Sequence, residues 1–159
     1  MEQSSFQPDY FVYTDGACSN NGYDNAKAGI GIFFGENDPR NVSQLVHGKQ
    51  SNNTAELTAI INTWPIIKQD IFNNKKITIV SDSIYAIRCA TSYGEKCDKN
   101  LWKKDIPNKE LVKTIYDIYK NNNNIDFMHI KAHTNKNDIH SIGNNAADKL
   151  ANKAINGCK

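Results

Sequence analysis

The change of residue period near position 50 constrains this chain more than any other feature. Before it, apolar and β-branched residues fall into three short runs, "YFVYTDGA" (10–17), "AGIGIFFG" (28–35) and "VSQLVHGK" (42–49). The turn "SNNGYDNAK" and the loop "ENDPRN" separate them. Such runs read as strands, and links this short join antiparallel neighbours. After position 50, Leu57, Ile60, Ile61 and Trp64 recur at i, i+3, i+4 and i+7, which is the stripe of a helix. Asn52, Asn53 or Thr54 can cap that helix, and Pro65 should end or kink it near Trp64.

From there strands and helices alternate. "KKITIVSDS" (75–83) reads as a strand ending at Asp82, and "SIYAIRCATS" as a short helix capped by Ser83. "YGEKCDKNLWKKDIPN" reads as irregular and lysine-rich. "KELVKTIYDIYK" is a helix with Leu111, Ile115 and Ile118 on one face, and "IDFMHIK" (125–131) a fifth strand. A polar loop, "AHTNKNDIHSIGN", leads to the closing helix "NAADKLANKAI". The fourth and fifth strands each follow a helix, so they are expected to join the meander as parallel strands. The predicted fold is α/β: a mixed five-stranded sheet, three antiparallel strands plus two parallel additions, flanked by helices. In 159 residues this makes one domain. Residues 1–9 read as a disordered lead-in and residues 10–156 as the folded unit.

The totals exclude several classes of function. No run approaches 18 apolar residues, so no membrane span is expected. The first residues carry neither a basic nor an apolar signal region. Cys18, Cys89, Cys97 and Cys158 form no C-x-x-C pair, which points to free thiols in a reducing intracellular compartment, cytoplasm or nucleus. The net charge of +2 does not by itself announce a nucleic-acid partner. With 22 asparagines, "KNNNNID" is a polar loop and not a functional tract.

The acidic residues carry the chemistry. Asp15 is expected at the end of the first strand and Asp82 at the end of the fourth, and α/β sheets place their sites beyond the carboxyl ends of strands. Glu56 lies one turn before Ile60, at the edge of the apolar stripe. Asp148 lies early in the closing helix, one turn before Ala151. Each has an ordinary structural explanation: Asp15 as a turn former before Gly16, Asp82 as a cap, Glu56 in a capping box with Asn53, Asp148 at a helix dipole. Together, however, the four can converge on one point. Two unit charges ~5 Å apart at an effective dielectric of ~20 repel by roughly 3 kcal/mol. Such a group therefore needs protons or divalent cations, and an all-carboxylate set suits Mg²⁺ or Mn²⁺ over zinc. Four carboxylates suffice for two ions, the arrangement that clamps both oxygens of a phosphoryl displacement.

In order along the chain, "YTDGAC", "NNTAEL", "VSDSIYAI", "KAH" and "GNNAADKLA" resemble the motifs of the type 1 ribonuclease H family over roughly residues 10–156. The resemblance implies endonucleolytic hydrolysis of the RNA strand of RNA–DNA hybrids, leaving 5′-phosphate and 3′-hydroxyl ends. It implies Asp15, Glu56, Asp82 and Asp148 as catalytic, metal-binding acids for two Mg²⁺, with Mn²⁺ as a substitute, and Asp15 as the bridge between them. His133 is the loop histidine it implies for product release or proton transfer, with His140 as the other candidate. Asn21, Asn52 and Asn53 resemble its groove-contacting positions, and Ser51 and Asn144 its DNA-phosphate pocket. Lys96–Lys104, with Trp102 inside it, resembles a shortened basic protrusion that grips substrate. His47 and His129 read as structural. The expected partner is the hybrid duplex, for a monomer with no membrane or protein partner and no separate hybrid-binding domain. Two other readings stand beside this one: a nuclease or strand transferase of the same fold acting on DNA, and a non-catalytic nucleic-acid-binding module.

Overall fold

A computed structural model describes residues 6–132 and 137–157. Ten elements follow in chain order: β1 (Tyr10–Ser19), β2 (Lys27–Phe33), β3 (Val42–Leu45), α1 (Asn52–Phe72), β4 (Ile77–Ser81), α2 (Ile84–Ala90), α3 (Ser92–Lys99), α4 (Lys109–Tyr119), β5 (Ile125–His129) and α5 (Ile139–Asn156). The sheet order is β3-β2-β1-β4-β5. β1, β2 and β3 pair antiparallel, whereas β4 lies parallel to β1 and β5 parallel to β4. The expected mixed sheet is present, with β1 at its centre.

Each face of the sheet carries its own helices. Val12, Ile30, Ile32, Ile77 and Ile79 pack with Leu57, Ile60 and Ile67 of α1 and Val112 and Ile115 of α4 in the main core. On the opposite face Tyr13 and Val80 pack with Ala147 of α5, bordered by Phe11, Phe33 and Met128. Glycines set how closely the helices approach. A Cβ on Gly16 would stand 2.5 Å from Glu56 N and 2.6 Å from the Ala55 carbonyl carbon, so α1 rests on bare β1 backbone. A Cβ on Gly31 would strike the Ala147 carbonyl and lie 2.8 Å from Ala151 N, so α5 rests on bare β2 backbone.

Several boundaries differ from the sequence-based expectation. β1 does not end at Asp15: it continues to Ser19 against β2, and only its pairing with β4 stops, at Thr14↔Ser81. α1 runs through Pro65, which is exposed and lacks only the N–H that would pair with the Ile61 carbonyl. Beyond it, Ile67 and Ile71 extend the buried stripe. The N-cap of α1 is Ser51, not Asn52, Asn53 or Thr54; its Oγ accepts from Thr54 N at 3.1 Å, and Thr54 Oγ1 accepts from Ser51 N at 3.1 Å. The segment expected to be irregular contains α3, where Gly94 is the buried residue and lets α3 lie against the Cys89 carbonyl and the Tyr116 ring. α5 starts at Ile139, inside the expected polar loop, because Asp138 caps it through Ser141 N at 3.0 Å. The last residue of the expected lead-in is tied to the sheet, as Asp9 N donates to the Lys76 carbonyl and Lys76 N to Asp9 Oδ2. Cys18, Cys89 and Cys97 are free thiols. Among the described residues no helix is long and apolar enough to cross a membrane.

Candidate active site

The end of the β1–β4 ladder builds the site. Asp15 is the first β1 residue past the last parallel pair, and Asp82 the first past β4. Asp15 pairs with Gly31, so its side chain shares the face on which α5 rests. Glu56 arrives from the other face, in the second turn of α1, because bare Gly16 lets that helix close on the strand. The Gly16 N–H donates both to Glu56 Oε1 at 2.7 Å and to Asp15 Oδ1 at 2.9 Å. Ser83, not Asp82, caps α2, accepting from Ala86 N at 3.1 Å. Asp15, Glu56 and Asp82 thereby each offer an oxygen within 4.8 Å of the others.

Asp148 lies in the middle of α5, not early in it, because the helix begins six residues before the expected start. It is outside the tight group of three, but its charge acts on both Asp15 and Glu56. The electrostatics of the group demand compensation. Asp15 is 4% exposed and Glu56 8%. Burial pushes the Asp15 carboxyl far above the ordinary carboxylate range, and the charges of Glu56, Asp82 and Asp148 add to it. Burial raises Glu56 too, opposed by hydrogen bonds from Asp15 and the Gly16 N–H. Glu56 Oε2 is buried without a hydrogen-bond partner among the described residues. An orphaned buried carboxylate oxygen beside two further carboxylates fits a hard divalent cation held by oxygen ligands.

Beside the acids, Asn21, Ser51, Asn52 and Asn53 line one polar hollow of about 300 Å³. Asn21 Oδ1 accepts from Asn52 N at 3.1 Å, which fixes the turn after β1 against the amino end of α1. Lys49, Pro107 and Asn108 complete the hollow. The sequence reading missed Lys49 and Asn108; the signal for Asn108 was its place after Pro107 and before a helix. Its backbone is left-handed, with φ +57°, and its Nδ2 donates to Tyr85 Oη at 3.4 Å.

The structure does not bring the other expected substrate contacts to this hollow. Asn144 does not line it: it is 3% exposed on α5, one turn before Asp148, and its Oδ1 has no hydrogen-bond partner among the described residues. Trp102 lies beyond α3, packed on the main core, its ring 6.4 Å from that of Tyr116 and its Nε1 donating to Asp98 Oδ1 at 3.3 Å. It borders a separate hollow of about 130 Å³ with Lys96, Lys103 and Lys104. His133 lies outside the described residues. His140 sits in the first turn of α5, its Nδ1 2.9 Å from Tyr13 Oη and its ring edge-on to Phe11 at 4.7 Å, which is a packing role.

The RNase H family model matches residues 7–156. Ribonuclease H1 of Mus musculus is 35% identical over 144 residues, covering 88% of this chain and 48% of the relative. Ribonuclease H of Schizosaccharomyces pombe is 36% identical over 147 residues, covering 89% and 51%. The chain thus spans about half the length of these curated relatives. Among solved structures, the PFV RNase H domain superposes with a TM-score of 0.70 at 25% identity, covering 94% of this chain and 95% of that one.

Proposed function

The chain belongs to the RNase H family, and from that premise we propose that it hydrolyses the RNA strand of RNA–DNA hybrids endonucleolytically, giving 5′-phosphate and 3′-hydroxyl ends. The observation that carries the reading is the group formed by Asp15, Glu56 and Asp82, with ligand oxygens within 4.8 Å of one another at the end of the β1–β4 ladder. Asp148 joins them from α5 as the fourth acid. These residues would hold two Mg²⁺ ions, or Mn²⁺ in their place. Bound divalent cations would supply an acidified attacking water and positive charge for the phosphoryl oxygens.

The remaining work belongs to the chain. Asp15, on the central strand, would bind as the carboxylate, with its Oδ1 held by the Gly16 N–H at 2.9 Å. The Gly16 N–H holds Glu56 Oε1, and Oε2, with no partner among the described residues, would be available to a cation. The polar hollow supports hybrid binding: the amino end of α1 and the Lys49 ammonium favour a backbone phosphate, and the amides of Asn21, Asn52 and Asn53 suit sugar and base edges in a wide minor groove. Trp102 and its lysines form a second contact point along the duplex. His133 is the proposed loop histidine, since His140 is engaged by Tyr13.

The test is cleavage of a labelled hybrid beside single-stranded RNA, duplex RNA and duplex DNA of one sequence, with Mg²⁺ and with EDTA. Metal-dependent cutting of the hybrid alone supports the reading. Cutting of duplex DNA favours the DNA-acting alternative, and binding without cutting the non-catalytic one.

A further inference from the structure

We propose that Asn152 is a positioning residue that fixes the Asp148 carboxylate for cation binding, a role that rests on the metal-site reading above. Asp148 is the acid that stands apart from the tight group, yet its charge reaches Asp15 and Glu56. The Gly31 contact sets where its helix lies, but not where its side chain points. One turn further on, the Asn152 Nδ2 donates both to the Asp148 main-chain oxygen at 3.0 Å and to Asp148 Oδ1 at 3.2 Å.

The two bonds act together. The bond to the carbonyl ties the amide to the helix backbone, and the bond to Oδ1 then ties the carboxylate to the amide. A carboxylate on a helix surface otherwise samples several rotamers, and ordering it on ligand binding costs free energy. Here that ordering precedes the cation, and Oδ2 is not engaged by Asn152. Outer partners of this kind typically change metal affinity by about tenfold or more. Asn152 is itself exposed, and alanine is a better helix former than asparagine, so losing it should not weaken the fold.

The experiment is calorimetric titration of Mn²⁺ into the wild-type chain, Asn152→Ala and Asn152→Gln, with melting temperatures measured in EDTA. Asn152→Ala should bind Mn²⁺ about tenfold more weakly, with its EDTA melting temperature unchanged or raised. Asn152→Gln keeps an amide donor and should recover most of the affinity. Equal affinity for wild type and Asn152→Ala overturns the proposal. So does weaker binding accompanied by a lower EDTA melting temperature, which marks a general structural role. A wild-type chain that binds no Mn²⁺ instead removes the metal site itself, a result distinguishable from the other two.

Discussion

Asp15 and Glu56 are carboxylates held almost wholly out of water, with one main-chain amide between them. Replacing Asp15 by Asn removes a charge that the metal-free fold disfavours. Asp15→Asn should therefore melt higher than wild type in EDTA, no longer respond to Mg²⁺, and lose more activity than the roughly 10–100-fold that an outer partner costs. Differential scanning calorimetry with and without Mg²⁺, beside hybrid cleavage, checks all three. The pH dependence follows from the same side chain. Its folded-state pKa is raised above the unfolded value, so its contribution to metal-free stability is fully present below the ordinary carboxylate value and is lost as pH rises through the folded value. Cations displace that proton, so the gain in melting temperature on adding Mg²⁺ should widen between pH 5.5 and 8.5. A gain independent of pH would count against a proton shared in the metal-free site.

At the scale of elements, what could be read in the sequence was what repeats. The switch from period 2 to the i, i+3, i+4 stripe located all five strands, α1 and α4, and the residues following Thr14 and Ser81 located two acids. What escaped depends on contacts between elements. α3 buries only Gly94, so no apolar stripe marks it, and Asn108 reaches the polar hollow through a turn whose position depends on α2 and Tyr85. Asn144 shares a helix face with Asp148, but its distance from Ser51 is a tertiary fact. Pro65 misled for a physical reason: an exposed proline in a long helix removes one main-chain hydrogen bond without displacing the buried stripe. Pro65→Ala should thus stabilise the chain by about 1–3 kcal/mol, the interior-helix penalty less the entropy proline removes from the unfolded state. Urea unfolding measures it, and a destabilised variant would show that Pro65 is needed for Ile67 and Ile71 to pack. Gly16→Ala should do the reverse, since the nearest obstacles are the α1 backbone atoms.

For the molecule as a whole, the acids and the lysines divide the labour. The formal net charge is only +2, yet three carboxylates are gathered at the end of the β1–β4 ladder and Asp148 acts on them from α5, so the rest of the surface is more basic than the total implies. A duplex would meet that basic surface at two places, the hollow with Lys49 and the hollow bordered by Lys96, Lys103 and Lys104. Binding by phosphate neutralisation makes log K fall linearly with log salt, by about 0.9 per phosphate contacted on B-form DNA. Measured with Asp15→Asn to prevent cutting, Lys49→Ala should reduce that slope by about one contact and weaken binding evenly across hybrid sequences. Lys104→Ala should do the same if the segment around Trp102 grips the backbone. A slope unchanged by Lys104→Ala but reduced by Lys49→Ala would restrict the duplex to the amino end of α1 and leave Trp102 as a packing residue against Tyr116. If neither substitution changed the slope, the polar hollow would not be the phosphate contact, and the hybrid would have to approach the acids from another side of the sheet.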